Sequence, residues 1–194
     1  MEITSVAIKA LRDQTGISVM QCKKALEEAG GDMEKALIIL KQKRKEAAEK
    51  KSDRILGAGA VGVYTHNTGE VAAMVLLASE TDFVSKNEEF VALAREIAMH
   101  VAAQDPKYVS REQVNEEAIT KAKEVFKEDI KDKPADMQEK ILEGKLNAYF
   151  KEQILMEQPF IKNPEVTIGE MVNGAVQKFG EKVSIVDFKR LSVK

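Results

Sequence analysis

The glycines of Gly57-Ala58-Gly59-Ala60-Val61-Gly62 have the spacing of a dinucleotide-binding fingerprint, and Glu80 follows at a distance where such motifs hold a ribose. The chemistry would be a pyrophosphate held by backbone N–H groups where a helix opens. The flanks do not provide that helix. A highly charged stretch precedes the glycines, and Val61, Val63, a turn over 65–69 and an apolar run from Val71 follow, which together signal a β-hairpin. The small residues therefore read as places where backbones pack closely, and no cofactor is expected. Cys22, the single cysteine, falls in a helical pattern with Ala25, Leu26 and Ala29 and is expected to act as a small buried hydrophobe. His66 lies in the hairpin turn and is expected to face water. His100 has no second ligand at helical spacing, so no metal is expected. There is no Walker loop, HExxH or GxSxG motif, and the many acids pair with lysines along helices as solvated faces do. The chain is expected to do no covalent chemistry and not to be an enzyme.

Binding chemistry is concentrated in Glu80-Thr81-Asp82-Phe83-Val84-Ser85-Lys86-Asn87, where a large aromatic ring stands in the most polar joint of the chain. Before it, the run 71–78 is apolar at nearly every position, which predicts a strand buried on both faces. After it, Phe90, Ala94, Ile97 and Val101 recur at helical spacing and predict a helix over 87–103, capped by Ser85 or Asn87. Asp82 and Phe83 thus fall on a loop between two rigid elements, a position suited to partner contacts. Two readings stand side by side. In one, Phe83 is an exposed anchor for a partner; in the other, it folds back as a core plug and Asp82 caps a turn.

The rest of the chain supplies the scaffold. Its 194 residues, 44% hydrophobic and 32% charged, suffice for one domain with a small appendage. A net charge of −2 argues against a surface that tracks a phosphate backbone, so nucleic acid is not an expected partner. No apolar run approaches the roughly 20 residues of a membrane helix, Met1-Glu2-Ile3-Thr4 lacks a signal-peptide layout, and the expected location is the cytoplasm. Residues 1–40 predict three short helices: one capped by Thr4 or Ser5 and broken at Gly16, one starting at Ser18 and ending at Gly30-Gly31, and one capped by Asp32. Residues 41–54 read as a solvated, charged helical linker. Residues 55–194 form the core domain, with a strand hairpin over 57–79, the helix over 87–103, a helical hairpin over 111–152 turning at Asp132-Lys133-Pro134, and a helix and strand over 167–193. The two stripes of the helical hairpin are Ile119, Ala122, Phe126, Ile130 and then Met137, Ile141, Leu142, Leu146, Tyr149. Gln158-Pro159-Phe160 and Asn163-Pro164 predict a rigid return loop. The expected fold class is α+β, with a small three-stranded antiparallel sheet.

Three ordered segments carry a resemblance. Thr81-Asp82-Phe83-Val84 followed by Lys86, the stretch from Leu11 through Gly16 to Leu26, and Glu143-Gly144-Lys145 with Gln158-Pro159-Phe160 resemble the signatures of the bacterial elongation factor Ts family. The resemblance implies a guanine-nucleotide exchange factor that binds elongation factor Tu, in its GDP-bound and nucleotide-free forms, and promotes GDP release. It implies that residues 1–40 resemble a ubiquitin-associated domain touching the nucleotide domain of the GTPase through Arg12, Val19 and Met20. Val19 and Gln21 depart from the commonest motif, where Met and Asp are frequent. It places the ring of Phe83 between helices of that nucleotide domain with Asp82 beside it and Thr81 and Val84 in the same signature, and it implies a contact at His100. One copy of the sheet-and-helix unit, with 71–77 apolar on both faces, matches short family members that form homodimers by pairing core sheets. The alternative from another class is a ubiquitin-associated-like module that contacts ribosome or RNA without exchange activity; it leaves Thr81-Asp82-Phe83-Val84 without a role.

Overall fold

The computed structural model describes residues 3–131 and 134–193, apart from the side chains of Ala135 and Asp136. It is mixed α and β, as expected. Contacts divide the chain into two compact units, Met1–Gly59 with Ala78–Asn87 and Glu170–Ser184, and Ala60–Leu77 with Glu88–Gly169 and Ile185–Lys194. These are not the boundaries expected from composition at residues 40 and 54. The physical reason lies in the third helix.

In the first unit, α1 (Ser5–Thr15), α2 (Val19–Glu28) and α3 (Met33–Glu49) each begin at a residue whose side-chain oxygen accepts an N–H of the first turn. The caps are Thr4 to Ala7, Ser18 to Gln21 and Asp32 to Lys35. Such caps are each worth about 1 kcal/mol. Gly16, at φ 68°, ends α1 and turns the chain into α2. Leu11, Ile17, Cys22, Ala25, Leu26, Ala36 and Leu40 form the core of the bundle, and Cys22 is buried in it as expected. The charged stretch after residue 40 is helical, since α3 runs unbroken to Glu49, but it is not simply solvated. Arg44 donates to the carbonyl of Thr15 at 2.8 Å and to Gln177 at 3.2 Å, and Lys41 pairs with Glu170 at 3.2 Å. These bonds tie α3 to α8 (Ile168–Phe179), which is why 170–184 belongs with the bundle.

The sheet is ordered β1 (Ala58–Thr65), β2 (Val71–Ser79), β5 (Val183–Ser192), with β2 in the centre. Most of it lies in the second unit. On β2, Ala73, Val75 and Leu77 are buried while Met74 and Leu76 are exposed. The expectation of a strand buried on both faces is therefore corrected: within one chain the unbroken apolar run has one covered and one open face. Helix α5 (Glu88–Gln104) lies against β1 at Gly62, where a Cβ would stand 2.1 Å from the backbone carbonyl of Ala94. All of the glycine motif after Gly57 accordingly sits inside a strand, and its last member makes room for a helix. At the other end of α5, Arg190 of β5 donates to the carbonyl of Ala102 at 3.0 Å.

The helical hairpin consists of α6 (Glu116–Asp129) and α7 (Ala135–Lys151); of its expected turn, Asp132 and Lys133 lie outside the described residues. Ala122, Phe150 and Ile154 are its buried centre. The inward residue at the end of α7 is Phe150 and not Tyr149, which is half-exposed and meets Phe126 edge-on with ring centroids 5.6 Å apart. The expected return loop is partly a ribbon, β3 (Pro159–Phe160) pairing antiparallel with β4 (Asn163–Thr167).

Gly62→Ala tests the helix-on-strand contact. The neighbouring atoms are backbone and cannot rotate away, so the substitution is expected to lower stability by about 1–3 kcal/mol or more, read as a drop in thermal midpoint. An unchanged melt would mean that α5 does not rest on β1 at this point.

Candidate functional site

The site is built on the corner between β2 and the next helix. Ser79 is fully buried, and its hydroxyl donates to the carbonyl of Thr81 at 2.9 Å. Its own carbonyl accepts the N–H of Gly57 at 3.1 Å. The Glu80 carboxylate accepts the backbone N–H of Lys182 and two contacts from the Arg54 guanidinium at 3.1 and 3.2 Å. The Lys182 N–H, with Arg54 adding to it, holds the Glu80 carboxyl below the usual carboxylate range. Thr81 donates its N–H to Glu181 at 3.0 Å and its hydroxyl to the same carboxylate at 2.6 Å.

From this corner rises a single turn of helix, α4 (Asp82–Ser85), where the sequence predicted a loop. A helical turn separates its side chains into two directions. Val84 and Ser85 are buried, at 4% and 7% exposure, whereas Asp82 is exposed and Phe83 is 83% exposed. The core plug is therefore Val84, and the adjacent ring points into solvent. Ser85 lies within this turn, its hydroxyl donating to the Asp82 carbonyl, so it is not the cap of α5; Asn87 occupies the position before Glu88. Asp82 accepts from Lys86 at 2.7 Å. The bond holds the Asp82 carboxyl below its ordinary value and raises the Lys86 ammonium above its own.

The remaining predicted residues divide by accessibility. Arg12 near the end of α1 and Val19 and Met20 at the start of α2 are exposed and belong to the same unit as Thr81, Asp82 and Phe83. Val84 presents no surface to a partner. Neither does His100, which is fully buried in the second unit. Its Nε2 lies 2.9 Å from Gln158 Oε1, and because the Gln158 amide nitrogen donates to the Glu152 carbonyl, the oxygen accepts and His100 carries its proton on Nε2. Nδ1 then accepts the N–H of Ile161 at 3.4 Å. Both ring nitrogens are used in holding the ribbon, a structural role. Among the described residues no group of His, Cys, Asp or Glu could hold a metal ion, and no helix is long and apolar enough to cross a membrane. Sequence reasoning missed Glu181, Lys182 and Arg54. Gly180 at φ 71° followed by two charges marks a turn, but nothing in the sequence pairs that turn with residues one hundred positions earlier.

The family model described as elongation factor TS matches residues 5–194. The chain belongs to the elongation factor Ts family. Relatives named elongation factor Ts include that of Carboxydothermus hydrogenoformans, 47% identical over 98% of this chain and 89% of the relative. That of Thermodesulfovibrio yellowstonii is 46% identical over 100% and 97%, and that of Thermosipho melanesiensis 44% over 98% and 98%. Membership of the elongation factor Ts family makes the chain a translation elongation factor.

Burial pushes the His100 imidazole below its ordinary value of 6.5, opposed by the Gln158 bond. The folded chain thus binds this proton less readily than the unfolded chain. The contribution is fully present above about pH 6.5 and is lost as pH falls below that value toward the lower folded value. The thermal midpoint is expected to decline as pH is lowered from 7.5 to 5.5, and His100→Gln is expected to flatten that decline. An equal slope in both proteins would show that other groups cause it.

Proposed function

We propose that the chain is a cytoplasmic guanine-nucleotide exchange factor that binds elongation factor Tu in its GDP-bound and nucleotide-free forms and promotes GDP release. The observation that carries this reading is the exposed Phe83 ring on a turn held by buried Val84 and by charge-assisted bonds. An apolar ring kept in water on a fixed backbone costs solvation in the free protein and is suited to filling a partner's pocket, as interface anchors do. Asp82 stands beside it as an acceptor, and Arg12, Val19 and Met20 offer a second exposed contact of mixed character. Exchange follows by linkage: a factor that holds the empty GTPase more tightly than its GDP form weakens GDP by the same ratio, typically about 1–3 kcal/mol in coupled systems. The inserted ring disturbs the magnesium and phosphate site without reacting, so the chain acts as no enzyme on its own account.

The second element of the proposal is a homodimer through the open sheet face. Val61 and Val63 of β1, Met74 and Leu76 of β2, and Val186 of β5 are all exposed in the single chain. Five apolar side chains from three adjacent strands form the kind of patch that monomers seldom leave in water. A second copy of the same sheet matches it in chemistry, because each strand offers aliphatic groups without charge at these positions.

Phe83→Ala is expected to leave the thermal melt unchanged and to slow release of fluorescent GDP from elongation factor Tu on the order of thirtyfold, the equivalent of an anchor worth roughly 2 kcal/mol. Normal exchange by a stable variant would refute the anchor. Asp82→Asn is expected to slow exchange modestly with no change in melt. For assembly, light scattering at micromolar concentration should give twice the 21.5 kDa chain mass, and Leu76→Lys should return the single-chain value. A single-chain mass for the unaltered protein would rule the dimer out.

A further inference from the structure

Because Phe83 makes so little contact of its own, its direction is set by the backbone it leaves from. That backbone has two tethers, both reaching the turn between α8 and β5. Lys182 supplies its N–H to the Glu80 carboxylate, while its Nζ donates to the carbonyls of Ser52 and Arg54. Glu181 takes the N–H and the hydroxyl of Thr81 on its two oxygens. Two consecutive residues of one turn thus grip two consecutive residues of the other. The tethers differ in what they fix. The Glu80 tether joins the end of β2 to the segment after α3 and is shared with Arg54, so it secures the corner as a piece of the fold. The Glu181 tether acts one residue later, on the N-cap position of α4, whose hydroxyl would otherwise be free to accept the N–H groups of the turn itself. In the structure Thr81 makes no such cap, and its hydroxyl is committed to Glu181.

We propose that Glu181 is a positioning residue for nucleotide exchange: by fixing both donors of Thr81 it sets the direction in which α4 presents Phe83, without itself forming the apolar contact. The inference rests on Phe83 being the partner anchor. It distinguishes Glu181 from a residue that merely stabilises the fold, because an effect exerted through the ring must vanish when the ring is absent.

The test is a double-mutant cycle on the full chain, read as the rate of fluorescent GDP release from elongation factor Tu with a thermal melt of every variant. Glu181→Gln turns one of the two acceptor oxygens into a donor group of nearly the same size. It is expected to slow exchange on the order of fivefold in the otherwise unaltered chain and to leave the rate of the Phe83→Ala chain unchanged. Thr81→Val removes the hydroxyl from the other side and is expected to slow exchange similarly, with little further loss when combined with Glu181→Gln. It also gives a route to the answer should Glu181→Gln lower the melt. Equal slowing by Glu181→Gln with and without the ring would overturn the proposal and assign Glu181 a contact of its own. Wild-type exchange by both Glu181→Gln and Thr81→Val, with Phe83→Ala slow, would overturn it while keeping the anchor. Wild-type exchange by Phe83→Ala would remove the anchor and the positioning role together.

Discussion

A ring left in water by its own chain gives its backbone nothing to hold. That constraint governs the arrangement around Phe83. The stabilisation that burial would have given is supplied instead by neighbours: Val84 and Ser79 are buried on either side, and between them two carboxylates, Glu80 and Glu181, accept backbone N–H groups across the corner. Hydrogen bonds to charged acceptors are stronger and more directional than neutral ones, which suits a task of fixing direction rather than adding stability. Exposed pairs of this kind contribute little to the folding free energy. Their value lies in geometry.

The second unit meets a different demand with a different device. Its sheet carries α5 so closely that one strand position has no room for a side chain, and Gly62 occupies it. Close approach brings α5 onto the covered face of β1, and His100, one and a half turns further along, joins the helix to the ribbon of β3 and β4 through Gln158 and Ile161. A polar histidine serves there because each ring nitrogen has a partner; a buried polar group with an unmet nitrogen would cost on the order of 1–3 kcal/mol. The charged face of α3 follows the same logic at the bundle, where Arg44 is drawn from solvent by the carbonyl left over at the end of α1 and by Gln177.

What the sequence made legible was local. Capping residues at Thr4, Ser18 and Asp32, the break at Gly16 and the hairpin after Gly62 are each decided within a few positions, and each is found in the structure. The placement of Thr81-Asp82-Phe83-Val84 between strand and helix was legible for the same reason. Which of Phe83 and Val84 is the plug was not, because both are apolar and only the helical turn of α4 separates their directions. The apolar run of β2 hid its two faces, since alternation cannot be read where every residue is hydrophobic. Arg54, Glu181 and Lys182 carry no mark of their own, for charged residues in turns are common and the partners lie far away in sequence. The resemblance implied a contact at His100, and its burial was not legible because it depends on acceptors and donors from residues 158 and 161, which its own helix does not contain.

The distance along the chain between Thr81 and Glu181 has a consequence for synthesis. A ribosome adds about 5–20 residues per second, so roughly 5–20 s separate the appearance of the threonine from that of the carboxylate one hundred residues later. During that interval the ring has already been made while the bonds between Thr81 and Glu181 have not. A growing chain therefore carries Phe83 for several seconds before the turn after α8 exists to hold the backbone next to it.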